Sequence, residues 1–153
     1  MTAPLPESLR RRTSFAVIRL AALVRQDCAE KVAKFGLNQQ QHAILSCLAE
    51  FGPAAQKDVA GRLGLDSGDI VAFLDSLQAA GLITRERDPV DRRRQILTIT
   101  DAGRVILTEA DEKLSDEAAG VLGVLTDRQR HQLYDLAVKV LADRFPENWS
   151  TAS

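Results

Sequence analysis

Aromatic residues, cysteines and histidines are scarce in this sequence of 153 residues, and each shortage excludes a class of function. Aromatics make up only 5% of the chain, which argues against a platform that stacks nucleic-acid bases. Cys28 and Cys47 form no Cys-x-x-Cys pair, so neither a zinc ribbon nor a thioredoxin-type site is supported. Two isolated cysteines fit a reducing cytoplasm, and no apolar run approaches the roughly 18 residues that span a bilayer. We therefore expect a cytoplasmic protein with no membrane partner.

Signatures of enzymes and metal sites are missing as well. His42 and His131 are the only histidines of the sequence. None of the motifs HExxH, GxSxG, GxxxxGK[ST] or GxGxxG occurs in it. We expect no catalytic residue, no metal site and no cofactor.

Charge is balanced over the whole chain, because 20 Lys and Arg residues stand against 21 Asp and Glu residues. A net charge of −1 gives no overall attraction to DNA, RNA or an anionic membrane. Residues 85–94 nevertheless hold five arginines and three acidic residues, a local charge of +2, and Arg92, Arg93 and Arg94 are consecutive. This segment is either a basic binding element or a solvated loop with internal ion pairs.

Hydrophobic periodicity predicts a single, mainly α-helical domain over residues 1–153. Asn38 with Gln41, and Thr126 with Gln129, have the spacing of helix-capping boxes. The apolar spacing and the Gly and Pro positions predict helices at residues 7–35, 38–51, 55–63, 67–80, 101–121 and 126–142. Short strands are predicted at 82–85 and 95–100, and a frayed tail at 143–153. A short helix, a turn, a second helix and a two-stranded hairpin follow one another in the order of a winged helix-turn-helix.

Three segments around the hairpin resemble the wing signature of MarR-type transcriptional regulators. They are residues 81–85 (GLITR), 88–93 (DPVDRR) and 99–103 (ITDAG). Residues 37–45 (LNQQQHAIL) are similar to the opening of the family's second helix, and the resemblance extends over roughly residues 10–143.

The resemblance implies a homodimer that binds double-stranded DNA, with repression as the family's usual outcome. Residues of about 7–35 and 101–145 would form dimerisation helices, and residues of about 38–100 a winged helix-turn-helix lobe with a two-stranded β-wing. A two-fold dimer reads a pseudo-palindromic operator whose half-sites lie about 34 Å apart.

The same resemblance implies roles for individual residues. Arg93 corresponds to the wing arginine that enters the minor groove, and Asp91 to the aspartate that holds this arginine and shapes the loop. Arg92 and Arg94 are expected to contact phosphates. The start of the recognition helix and the start of the preceding helix supply the remaining expected contacts: Ser67, Gly68, Asp69, Gln56 and Lys57.

Two alternatives to this function stay open at the sequence level. No Lys or Arg occurs in residues 67–80, whereas Asp69 and Asp75 do, so the chain could be a winged-helix interaction module without specific DNA binding. Cys28 could instead make it a cysteine-based redox-sensing regulator.

A small ligand is also expected from the resemblance. Relatives respond to phenolic or aromatic carboxylate ligands bound between the dimer helices and the winged lobe. Candidate anchors on the helices that border this crevice are Arg12, Arg19 and His42.

Overall fold

The structure is a computed structural model that describes residues 3–150. Its chain divides into two compact units, the first ending at Ser115 and the second beginning at Asp116. The first unit contains, in order, α1 (Glu7–Arg10), α2 (Thr13–Ala33), α3 (Gln39–Phe51), β1 (Ala54–Ala55), α4 (Gln56–Leu63), α5 (Ser67–Ala79), β2 (Ile83–Arg87), β3 (Gln95–Ile99) and α6 (Asp101–Ser115). The second contains two 3₁₀ turns (Glu117–Ala119 and Val121–Val124), α7 (Asp127–Arg144) and α8 (Pro146–Trp149). The winged helix-turn-helix and the mainly helical fold predicted from the sequence are confirmed.

The sequence predicts one continuous helix over residues 7–35, and this prediction is wrong because two helices, α1 and α2, occupy that range. Arg12 has extended backbone angles (φ −88°, ψ 124°) and separates α1 from α2. No residue signal marks this break, because neither Gly nor Pro, the usual helix breakers, stands there.

Capping residues begin α3 and α5, and a glycine forms the turn between α4 and α5. The Asn38 side chain accepts a hydrogen bond from the Gln41 N–H at 2.8 Å, and the Gln41 side chain accepts one from the Asn38 N–H at 2.9 Å, which confirms the predicted capping box. The turn between α4 and α5 passes through Gly64 at φ +63°, a left-handed conformation that glycine adopts without a steric penalty. Asp66 then caps α5 by accepting from the Gly68 N–H at 2.8 Å.

The sheet has three antiparallel strands in the order β1-β3-β2, one more than the predicted hairpin. The hairpin places Arg85 opposite Leu97 and Arg87 opposite Gln95. The added strand β1 pairs Ala54 with Leu97 and leads directly into α4. Two alanines are too short a segment to show the alternation of apolar and polar residues that marks a strand. Only its pairing with β3 in the folded chain therefore reveals β1.

The core of the first unit lies between the helices and the inner face of the sheet. Its fully buried side chains come from α2, α3, α4, α5, β2 and β3: Val32, Ile44, Leu45, Leu48, Val59, Ile70, Leu74, Leu77, Ile83 and Leu97. Gly103, in the first turn of α6, approaches this core so closely that a Cβ there would lie 2.2 Å from the Leu82 carbonyl oxygen. The wing base and α6 are therefore packed backbone to backbone.

Two predictions for the C-terminal part are wrong. Helix α6 ends at Ser115 rather than near residue 121, because Asp116 accepts from the Ala119 N–H at 3.3 Å and starts a separate 3₁₀ turn. The predicted tail is partly helical: α7 continues to Arg144, and Pro146 occupies the first turn of α8, where its missing N–H has no cost. Residues 151–153 of that predicted tail lie outside the described residues. The capping box of Thr126 and Gln129 is confirmed.

Candidate nucleic-acid interface

A groove of about 790 Å³ lies between the helix-turn-helix and the loop of the wing. Its polar lining comes from the starts of α4 and α5 and from both sides of the wing loop: Gln56, Lys57, Ser67, Arg87, Arg92, Arg93, Arg94 and Gln95. Five of these side chains are cationic, and no carboxylate lines the groove within the described chain. We call this surface the basic groove. It brings together six of the nine residues predicted to contact DNA, while Asp91, Gly68 and Asp69 lie outside its lining.

The wing loop is held by its own backbone and by two aspartates. The Asp88 N–H donates to the Arg94 carbonyl at 2.9 Å, which closes the loop. Asp91 accepts from the backbone N–H of Arg93 at 3.1 Å, and Asp88 accepts from that of Val90 at 2.9 Å. Asp91 thus holds Arg93 by the main chain and leaves the guanidinium free.

The three consecutive arginines differ in their partners. Arg94 forms an ion pair with Asp58 of α4 at 3.1 Å, and Asp88 lies 4.0 Å from it. Among the described residues, no carboxylate pairs with the exposed guanidinium groups of Arg92 and Arg93. Two free cations therefore stand at the end of the wing, and a third is tied to the helix-turn-helix.

A second link joins the wing to the helix-turn-helix, this time at the recognition helix α5, and it was not predicted. The Arg85 guanidinium donates to the Gln78 side chain at 2.7 Å and pairs with the Asp75 carboxylate at 2.5 Å. Arg85 therefore braces the wing base against α5 and is not a free cation. The spacing of seven and ten residues between these partners has no local signature, so only the folded chain reveals the contact.

Helix α5 presents less uncompensated negative charge than its sequence suggests. Asp66 caps the helix, and Asp75 is neutralised by Arg85. Asp69 alone is exposed with a carboxylate that has no hydrogen bond or ion pair to the described residues. The interaction-module alternative depended on an acidic helix without compensating partners. Two of the three carboxylates of α5, those of Asp66 and Asp75, have such partners.

The three candidate ligand anchors are not joined by any hydrogen bond or ion pair between described residues. Arg12 and Arg19 are exposed near the start of α2. His42 on α3 is half-buried, and its Nε2 lies 2.7 Å from Asp111 Oδ1 on α6. The role of all three in binding a ligand stays a prediction.

Neither cysteine lines the basic groove, and the redox role of Cys28 stays a prediction. Cys28 is half-buried and Cys47 is buried, both as free thiols. Burial raises the pKa of the Cys47 thiol, with Arg62 lowering it and Glu50 raising it to smaller extents, so the reactive thiolate is disfavoured. Residues 3–150 contain no cluster of three His, Cys, Asp or Glu side chains that could hold a metal ion. No helix among them is both long enough and apolar enough to cross a membrane.

A capped helix-turn-helix, a cationic two-stranded wing and a basic groove between them define a winged helix-turn-helix protein of the nucleic-acid-binding class. Known proteins agree with this class. The sequence model of the MarR family matches residues 37–94, from the start of α3 to the end of the wing loop. The HTH-type transcriptional regulator TtmR of Methylorubrum extorquens (strain PA1) is 32% identical over 132 residues, which cover 86% of this chain and 67% of TtmR. This chain belongs to the MarR family of transcriptional regulators.

Solved structures of the same fold include one bound to DNA and one bound to a small molecule. The transcriptional repressor CouR, bound to a 23-mer DNA duplex, is 29% identical with a TM-score of 0.77, covering 90% of this chain and 99% of that one. CouR from Rhodococcus jostii RHA1, bound to p-coumaroyl-CoA, superposes with a TM-score of 0.70 at 23% identity, covering 97% of this chain and 100% of that one.

Proposed function

We propose that this regulator binds a pseudo-palindromic operator as a homodimer and represses transcription there. The observation that carries the proposal is the basic groove, where five cations and, among residues 3–150, no carboxylate line the space between the helix-turn-helix and the wing. Such a surface suits the phosphate backbone on either side of a major groove that receives α5. The repressor CouR, solved on a DNA duplex, supports this arrangement by its similarity.

Each part of the surface has a distinct proposed role. Ser67, Gly68 and Asp69 open the helix that enters the major groove. On the wing, Arg93 enters the narrow minor groove, where the negative potential attracts a cation, and Arg92 contacts phosphate. Asp91 keeps the loop in shape for both arginines.

The start of α4 and the paired arginine complete the phosphate contacts. Ala55 precedes α4 and offers no side-chain acceptor, so the first N–H groups of this helix lack a side-chain cap. We propose that these groups, with the Gln56 and Lys57 side chains, bind a phosphate. Arg94 contributes a further phosphate contact by exchanging part of its pairing with Asp58.

The proposed homodimer rests on apolar side chains that the single chain leaves exposed. On α2, Val17 is 57% exposed and Ile18 66%. On α7, Leu136 is 65% exposed and Val140 66%. Exposed apolar residues on two long helices are typical of surfaces that a partner covers. We propose a second copy as that partner, because a two-fold dimer is the commonest assembly and matches a pseudo-palindrome.

Ligand response, cellular location and the absence of catalysis are further parts of the proposal. CouR was solved with p-coumaroyl-CoA, and by analogy a small phenolic or aromatic carboxylate would release this regulator from DNA. Arg12, Arg19 and His42 remain the proposed anchors. A regulator of this family acts in the cytoplasm, where its DNA lies, and we propose that it does so by binding alone, without an enzymatic reaction.

Fluorescence anisotropy tests the proposal directly. Labelled genomic fragments, including the region upstream of the regulator's own gene, are titrated with the protein at several salt concentrations. We expect one or a few fragments to bind far more tightly than the rest, with affinity that falls steeply as salt rises. Equal and weak binding to every fragment would favour the interaction-module alternative.

A further inference from the structure

One carboxylate of the recognition helix makes no hydrogen bond or ion pair with the described residues. Asp66 caps α5 and Asp75 pairs with Arg85, whereas the Asp69 carboxylate is exposed and has no partner among the described residues. A free negative charge on the helix that faces DNA repels phosphate, so it weakens binding unless a specific donor compensates for it.

The position of Asp69 on α5 suits contact with a base edge. Ile70, Leu74 and Leu77 point into the core, which places Gly68 and Ala72 at the centre of the opposite, outward face. These two residues have little or no side chain, so the outward face can approach the floor of a groove closely. Asp69 lies beside them in the first turn, the part of a recognition helix that contacts bases.

The chemistry of a carboxylate selects one base. An ionised aspartate only accepts hydrogen bonds, and in the major groove only the cytosine N4 and adenine N6 amino groups donate them. Adenine also presents its N7 acceptor next to the amino group, which repels a carboxylate, and guanine and thymine offer only acceptors. Cytosine is therefore the base that compensates the charge best.

We propose that Asp69 determines operator specificity by accepting a hydrogen bond from the N4 amino group of a cytosine in each half-site. This assignment rests on the DNA-binding function proposed above and adds the base that the helix reads. The cations of the basic groove hold the duplex, and Asp69 rejects sequences that lack the donor.

Selection from a duplex library with a randomised core tests the assignment, using the full chain as wild type, Asp69→Asn and Asp69→Ala. Asparagine binds adenine through N6 and N7, so Asp69→Asn should change the selected base from cytosine to adenine at one position of each half-site. Asp69→Ala should lose the preference for cytosine without gaining another. Anisotropy on the selected duplex and its single-base-pair variants measures the ratio of affinities for cytosine and for other bases at that position. This ratio should differ by roughly 5- to 10-fold between wild type and each variant. The matched control is Asp101→Asn. Asp101 is an exposed aspartate in the first turn of α6, which follows the end of β3 away from the wing loop.

Each other outcome overturns the assignment. If Asp69→Asn selects the wild-type sequence, or binds every duplex more tightly by the same factor, Asp69 only repels phosphate and reads no base. If wild type selects a sequence without a cytosine that responds to Asp69, another residue sets specificity. If wild type selects no sequence at all, the proposed operator binding fails first and the assignment fails with it.

Discussion

Removal of the Arg93 side chain is the most direct perturbation of the proposed DNA contact. Arg93 lines the basic groove, and its guanidinium is exposed without a carboxylate partner among the described residues. Its backbone N–H, not its side chain, holds the loop to Asp91. Arg93→Ala should therefore remove a cation and leave the wing loop in place.

The expected magnitude follows from the cations of the groove. Five cations line it and Arg94 is paired with Asp58, which leaves four in each protomer with no carboxylate partner in the part of the chain that the structure describes. If each neutralises one phosphate, a dimer releases about eight counterions, and the logarithm of its affinity falls with the logarithm of salt with a slope of about −7. Arg93→Ala should reduce that slope to about −5 and weaken binding by about 1–3 kcal/mol in each half-site.

Anisotropy titrations of the selected operator over a range of salt concentrations measure both quantities. Arg104→Ala is the matched control, because Arg104 is an exposed arginine on α6 that does not line the groove. Circular dichroism and sedimentation establish that each variant remains folded and keeps its assembly state. An unchanged affinity and slope for Arg93→Ala in a folded dimer would refute the wing contact.

Three further measurements test the remaining conclusions. Sedimentation at micromolar concentration should show a dimer, and Leu136→Glu should shift it to monomer by placing a charge on an exposed apolar face; a wild-type monomer would contradict the interface. In urea, Gly103→Ala should lower the free energy of unfolding by about 1–3 kcal/mol or more, because its Cβ meets the Leu82 carbonyl, whereas Gly61→Ala has open space and should raise it by about 0.5–1 kcal/mol. The Cys47 thiol should resist a thiol reagent at pH 8 until the protein is denatured, since burial raises its pKa; rapid labelling of the native protein would contradict that burial.

Local signals in the sequence predicted most of the secondary structure. Asn38 with Gln41 and Thr126 with Gln129 form the expected capping boxes, because a cap is decided by residues three positions apart. The hairpin also follows from neighbouring residues. The loop contact between Asp91 and Arg93 is of the same local kind.

Features that join distant parts of the chain could not be predicted in the same way. The Arg94–Asp58 pair spans 36 residues, and β1 becomes a strand only because Leu97 pairs with Ala54. The sequence therefore indicated a basic loop of +2, but not which of its arginines would be paired: Arg85 and Arg94 pair with carboxylates, whereas Arg92 and Arg93 line the groove with Lys57 without such a partner among the described residues. The early end of α6 likewise depends on a competing cap at Asp116 that periodicity does not register.

The pairing of Ala54 with Leu97 has a consequence for the length of the operator. It joins the chain just before α4 to the strand just after the wing loop, and the Arg85–Asp75 pair joins the wing base to α5. The helix that we propose to enter one groove and the arginine that we propose to enter the next are thus held at a constant separation along the duplex. A single inserted base pair moves the two contact points apart by about 3.4 Å and rotates them by about 35°. Base substitutions within a half-site should therefore weaken binding by degrees, whereas an insertion between the two contacts should remove one of them altogether.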